Sequence, residues 1–532
     1  MAGPSSLPLT EETHGIPADV YHRRKAILAV LCGSLILIVV AVSSLNTAIP
    51  TIQRGLDASP TELQWIVDSY ALVFAGFLLP AGAIGDRFGR KGALMTGLVI
   101  FGVCAFIASR ADSAATLIGA RAAMGVGAAL VMPATLSIIQ NSFPPHERAK
   151  AVATWAGLAG AGGALGPLLS GVMLKWFGWA SVFLINIPIV IVLLVLVGRI
   201  VPTSRDPEGH PLDPLGAIMS VLALGSLVFG IIEGPEWGWT SVGVITAFAS
   251  AIIFGIGFVM WETRTEYPTL DPRLFRLPGF GMGSLSISTI FFCMFGMFFL
   301  ATQYLQYVKG YTPLEAGVRT LPSAAVMVTL SPQSPRIVGR LGVRATTRLG
   351  FGFVVAGFII MSRLQVDTPY FVFMIGLMIL AGGMALIMPP STSSIIGSLP
   401  LAKAGVGSAV NDVTREVGGA IGIAVMGSVL NSIYRSTIDL SKVRALIPPA
   451  LRTTFAPAAR AAEASIGQAT GVAESLRGRA GDIAAGISDA SRSAFVQGTS
   501  VAFAVAAGVA LIGGLIVSTR IPDELAEGQA NG

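Results

Sequence analysis

The chain has 532 residues, 53% of them hydrophobic and only 12% charged, with a net charge of +6 and a mean hydropathy of +0.73. A soluble domain carries roughly 25% charged residues, so the composition excludes a soluble globular protein and predicts an all-α polytopic membrane protein. The lysines and arginines recur in short loops rather than on one basic face, which argues against nucleic acid as a partner.

In chain order, residues 1–25 read as a cytoplasmic tail ending in Arg23, Arg24 and Lys25. The apolar run that follows is too long for a signal-peptide core and reads as an uncleaved first span. A helix needs about 20 apolar residues to cross the hydrocarbon. By that measure fourteen spans are predicted, centred near residues 37, 74, 101, 126, 162, 189, 223, 252, 291, 325, 355, 380, 420 and 508. Residues 26–200 form a six-helix half, 201–279 two extra helices with their linkers, and 280–518 a second six-helix half. The second half includes a long outer loop at about 436–495, read as a linker with a short amphipathic outer helix as the alternative, and residues 519–532 are a cytoplasmic tail. With both termini inside, nineteen Lys/Arg fall on inner loops and tails and six on short outer connections, the asymmetry of the positive-inside rule.

Two stretches repeat at one offset. "GAALVMP" (127–133) returns as "GMALIMP" (383–389), and "GGALG" (162–166) as "GGAIG" (418–422), both 256 residues later. A looser echo joins "RFGRK" (87–91) to "RLGVR" (340–344). Such a duplication implies parallel six-helix halves, a transporter architecture with its site at their interface.

Several residues stand out inside this frame. Asp68 lies in the apolar stretch "LQWIVDSYALVFAGFLLPAG"; a charge at the bilayer centre costs roughly 2.5–3.5 kcal/mol and marks function by default. Trp65 and Tyr70 of the same stretch, with Asn46 of span one, are candidates for an apolar substrate pocket. In "GAIGDRFGRK", Gly82 and Gly89 permit close helix contact, and Asp86, Arg87, Arg90 and Lys91 read as an ion-paired cytoplasmic latch or as a topology anchor. Arg121 lies about 10 Å deep in span four and needs an acidic or carbonyl partner unless it snorkels outward. Gly162, Gly166, Pro167 and Gly171 in span five read as a pivot or interface, because glycines four apart allow close backbone approach and proline removes a ladder hydrogen bond. Asp412, Arg415 and Glu416 share one face of span thirteen, as an inner gate or a self-neutralised cluster. Glu233, beside Pro235, Trp237 and Trp239, reads as part of an aromatic belt. The cysteines sit in apolar runs and the histidines in tails or loops, so no metal site is expected. No Gly-Lys dipeptide occurs, so neither a P-loop nor any other cofactor site is expected.

The loop "GAIGDRFGRK", Arg121 with Gly125, "GGALGPLLSG" and "WFGWASVFLINIP" (176–188) together resemble the major facilitator superfamily, in its fourteen-helix drug:proton antiporter branch. The resemblance runs from about residue 26 to 520. It implies the major facilitator fold with 6+2+6 helices, and a monomer in the cell's inner membrane. It also implies export of lipophilic, cationic drugs or toxic compounds in exchange for protons by alternating access. Two positions depart from the branch: Ala41 stands where span one usually carries an aspartate, and Ala180 follows Trp179 where an arginine is usual. With that acid gone, Asp68, roughly 9 Å deep, is predicted to pair with Arg121 and to carry the protonation switch. The alternative leaves Asp68 wetted at the outer mouth. A dedicated exporter of an endogenous metabolite or lipid-like compound is the competing function. A non-transporting scaffold or sensor is disfavoured, since it needs neither latch, pivot nor embedded arginine.

Overall fold

The computed structural model describes residues 16–204, 213–266, 268, 270–399, 404–448, 452–478 and 480–523, and no strand occurs among them. The helices in chain order are α1 (Ala18–Leu56), α2 (Pro60–Phe88), α3 (Arg90–Ser109), α4 (Ala114–Ser142), α5 (Pro145–Trp176), α6 (Ser181–Leu184), α7 (Asn186–Ile200), α8 (Pro214–Trp237) and α9 (Val242–Glu262). They continue with α10 (Pro278–Gln303), α11 (Pro313–Leu330), α12 (Ser334–Met361), α13 (Tyr370–Gly397), α14 (Ala404–Thr437), α15 (Ser441–Leu446), α16 (Arg452–Ala464), α17 (Ile466–Leu476) and α18 (Gly481–Arg520). Each predicted span centre falls inside one of these helices. Among the described residues, eleven helical stretches are long and apolar enough to cross a membrane by length and composition; Pro313–Met361 counts as one of them, and α2 and α5 are not in the set.

The helices pack as two copies of one arrangement. In the first, α1 packs on α5, α2 and α3 on α4, and α3 on α7; in the second, α10 packs on α14, α11 and α12 on α13, and α12 on α18. Local chemistry repeats as well. Ser59 and Glu62 form a capping box with Pro60 at the first helical position, and Thr312, Pro313 and Glu315 do the same for α11, satisfying backbone donors that would otherwise be orphaned. Where α2 gives way to α3 the chain turns at Gly89 (φ 120°), and within α12 it turns at Gly342 (φ 80°), conformations that favour glycine. The amide after each turn donates to a carbonyl just beyond the last helix of its own half: Arg90 to Ser204 at 2.9 Å and Val343 to Asp523 at 3.4 Å. These ties hold each copy together as a unit.

The halves meet along two seams, α2 with α14 and α5 with α11. The pair α8–α9 docks beside the first seam, where α8 touches both α2 and α14 and Ser428 of α14 donates to the Ile231 carbonyl at 2.7 Å. At the end of the bundle where α1 hands over to α2, the halves are sealed by polar contacts. Gln306 Nε2 donates to the Thr47 carbonyl at 2.9 Å, and Tyr307 Oη to Gln53 Oε1 at 2.7 Å.

The predicted outer linker is corrected. α14 runs on to Thr437, α15, α16 and α17 follow, and α18 begins at Gly481. The 40 residues of α18 extend about 60 Å at 1.5 Å per residue, twice the roughly 30 Å of hydrocarbon. Its overhang supplies Ala484 and Ile487 to a small core with Leu440, Val443, Ile447, Ala459, Ala462, Ala469 and Ala473. The segment is a packed helical cap.

Candidate functional site

Arg121 is held between α2 and α4. Its Nε donates to the Ile66 carbonyl at 3.1 Å, and its guanidinium lies over the Tyr70 ring, 4.3 Å from the centroid. Tyr70 stacks on Phe74 at 5.9 Å. α2 and α4 come this close because Gly125 faces the Tyr70 carbonyl. Arg121 is 1% exposed, and neither of its terminal nitrogens has a hydrogen-bond partner among the described residues.

Asp68 is 0% exposed, and both its carboxylate oxygens also lack a partner among the described residues. The predicted Asp68–Arg121 pair is therefore a correction: it is not formed. The reason is azimuth. Gln64 meets Gly427 of α14, and Ala71 and Ala75 line an apolar crevice with Val417, Ala420 and Ile421. Asp68 lies on that same stripe, four residues after Gln64 and three before Ala71, and so faces the α14 seam. Its burial also sets aside the alternative of a wetted residue at the mouth.

From the second half, Glu416 has its Oε2 buried without a hydrogen-bond partner among the described residues. It lies within electrostatic range of Arg415 first and of Arg121 more weakly, and it forms no ion pair with Arg121 among the described contacts. Asp412 and Arg415 pair with each other at 3.4 Å, and Arg415 lies over the Phe291 ring, 4.6 Å from its centroid. The predicted triad thus holds together as a charge cluster on α14, with Asp412 and Arg415 paired and Glu416 within electrostatic range of both.

The remaining predicted residues separate. Trp65 faces α8, donating to Glu233 Oε1 at 3.0 Å with Phe229 at 6.0 Å. Replacing Trp65 by Phe is expected to cost about 1 kcal/mol, the worth of a hydrogen bond, read by thermal unfolding in detergent. Transport should stay within about twofold, because the ring contacts the extra helix rather than the site. Asn46 is half-buried in α1 with its Oδ1 unpartnered among the described residues. Gly82 packs near Pro133, and Arg87 is exposed over Phe88. Lys91 donates to the Gly198 carbonyl of α7 at 2.8 Å, so the described contacts of this loop, with that of the Arg90 amide, stay inside the first half. The Asp86 side chain, and Gly162, lie outside the described side chains.

In α5, Gly166 abuts Ser43 and Ser44 of α1, and Ser44 Oγ donates to the Gly166 carbonyl at 3.0 Å. Pro167 and Gly171 face Gly317 and Leu314 of α11. Gly418 and Gly422 repeat the α1 contact by facing Ser288 and Phe292 of α10.

Two six-helix bundles meeting around buried, unneutralised charge define a membrane transporter built from a duplicated unit. The sequence profile of the Major Facilitator Superfamily matches residues 31–423. The multidrug efflux pump LfrA of Mycolicibacterium smegmatis is 35% identical over 491 residues, 92% of this chain and 95% of LfrA. The methyl viologen resistance protein SmvA of Salmonella typhimurium is 34% identical over 484 residues, 90% and 94% of the two chains. Among solved structures, a bacterial homologue of the human lysosomal transporter Spinster, inward-facing and unoccupied, superposes with a TM-score of 0.62 at 16% identity. It covers 94% of this chain and 98% of its own, and at that identity the likeness shows the fold alone. The chain belongs to the major facilitator superfamily: it is a multi-pass membrane transporter, not an enzyme.

Proposed function

We propose that the protein is a proton-driven exporter of lipophilic, mainly cationic small molecules, with fourteen spans arranged 6+2+6 and both termini in the cytoplasm. The sealed end is then the outer one, and export proceeds by rocking of the halves about the α2–α14 and α5–α11 seams. The observation that carries this reading is charge left unneutralised in the buried seam. The Asp68 carboxylate oxygens, both terminal nitrogens of Arg121 and Glu416 Oε2 are all buried without a hydrogen-bond partner among the described residues. An uncompensated buried charge costs several kcal/mol, so a static protein gains nothing by keeping it. A transporter uses it: a proton or a cationic substrate neutralises the carboxylates in turn, and each state favours one arrangement of the halves.

The names of the relatives agree in chemistry. LfrA is a multidrug pump and SmvA confers resistance to methyl viologen, a planar dication. Everted vesicles loaded by an imposed pH gradient test the proposal, with ethidium as substrate. Ethidium uptake that collapses when the gradient is dissipated is expected. Uptake indifferent to the gradient, or none of any lipophilic cation, would overturn the reading.

A further inference from the structure

One side chain at the sealed end bridges three parts of the molecule. Gln53, 3% exposed, sits near the end of α1 in the first half. Its Oε1 accepts from Tyr307 Oη of the second half at 2.7 Å, and its Nε2 donates to Ser465 Oγ at 3.2 Å. Ser465 is the N-cap of α17, where the same oxygen accepts from the Gln468 amide at 3.2 Å. The cap is therefore joined to the seam through both ends of one carboxamide. Gly467 of α17 lies directly against that carboxamide, and a Cβ there would meet Gln53 Oε1 and come within 2.8 Å of Nε2. Tyr434 Oη of α14 donates to the Ala462 carbonyl at 2.8 Å, tying α16 to the second half as well. Beneath these contacts lies a cavity of about 30 Å³, lined by Gln53, Gln64, Gln303, Asn431, Tyr434 and Ser465 among others. That is room for a water or two, beside a Gln64 Oε1 with no protein partner among the described residues.

We propose that the cap formed by α15, α16 and α17 is the outer gate, and that Gln53 is the positioning residue that makes cap and seam open together. The role assigned to the gate rests on the alternating-access reading above; the linkage between cap and seam does not. Gln53 loses its Tyr307 bond when the halves part at this end. Freed of that partner, the carboxamide no longer presents Nε2 to Ser465, and the cap lifts from α1. When the cap returns, Ser465 and Gly467 again leave the carboxamide one place to lie, facing Tyr307. The cavity beside these contacts, apolar apart from its few amide and hydroxyl groups, is the space through which water first enters as the seam opens.

Spin labels separate this linkage from transport. Arg110 and Arg363 are exposed at the same end of the two halves, and Ser475 is exposed on α17; the three native cysteines are buried. The Arg110→Cys/Arg363→Cys pair reads the seam and the Arg110→Cys/Ser475→Cys pair reads the cap, in the full chain in lipid nanodiscs. Three changes should each add a longer-distance population to both pairs together. Gln53→Ala removes the bridge, Tyr307→Phe removes one oxygen and leaves packing intact, and Gly467→Ala displaces the carboxamide. In vesicles the same variants should lower the maximal efflux rate severalfold with an unchanged KM, since Gln53 sits in the seal and not at the charged site. A cap distance that broadens while the seam distance stays single would overturn the proposal, as would distances that no variant moves. Vesicles that never transport would count against the proposed function, while the distances would still decide the linkage.

Discussion

Asp68→Asn is expected to leave the protein folded, raise its thermal midpoint and reduce gradient-driven efflux about tenfold or more, a loss typical of removing a positioned proton carrier. The stability gain follows from environment. Asp68 is fully buried at the α2–α14 seam with no hydrogen-bond partner among the described residues for either oxygen, and the isosteric amide replaces an acid whose ionised form nothing nearby compensates. Glu416→Gln is expected to lose efflux to a similar degree but to destabilise, because it takes away an acid whose charge reaches Arg121 and leaves a buried guanidinium with less compensation. The opposite signs in thermal unfolding, read beside ethidium uptake in everted vesicles, distinguish two acids that spacing alone makes equivalent. Full gradient-driven uptake by Asp68→Asn would remove it from the coupling scheme and leave Glu416.

The spans and the duplication were legible because both depend on composition along one dimension. Apolar length marks a crossing, and repeated Gly/Ala/Pro patterns mark the equivalent helices. The loop echo between residues 87–91 and 340–344 runs at an offset of 253 rather than 256. The structure assigns the difference to the link between α12 and α13, which is longer than the one between α3 and α4. The capping boxes at Ser59 and Thr312 share that shorter offset and were equally readable, yet they went unused. What sequence did not yield was azimuth. Asp68 and Arg121 were placed at one depth, but Asp68 is two residues from Tyr70, about 200° around a helix at roughly 100° per residue. Tyr70 faces Arg121, so Asp68 faces α14 instead. The cap was missed for a different reason. Its short, Ala-rich helices have little apolar signal of their own, and they hold only because the overhang of α18 completes their core.

Gly166→Val is expected to abolish efflux and to cost about 1–3 kcal/mol or more, the range for forcing atoms into a packed core. A Cβ at Gly166 would collide with Ser43 Oγ and lie 2.8 Å from both Ser43 Cβ and the Ser44 amide nitrogen. A backbone cannot swing aside as a flexible side chain can, so α1 and α5 must separate. That separation breaks the Ser44–Gly166 hydrogen bond and shifts Pro167 and Gly171, which form the α11 face of the same helix. Gly166→Ala should lie between wild type and Val. Gly119→Ala in α4 is the control, since nothing lies within 4 Å of the added Cβ; it should leave efflux unchanged and, through helix propensity alone, raise the thermal midpoint slightly. The comparison separates two meanings of the glycine motif. Should helix flexibility be what matters, the two alanines would act alike, because alanine stiffens any helix over glycine by the same roughly 1 kcal/mol. With close approach as the requirement, only the residue packed directly against α1 is sensitive, and Gly166 serves by letting α5 lie on α1 within the first half.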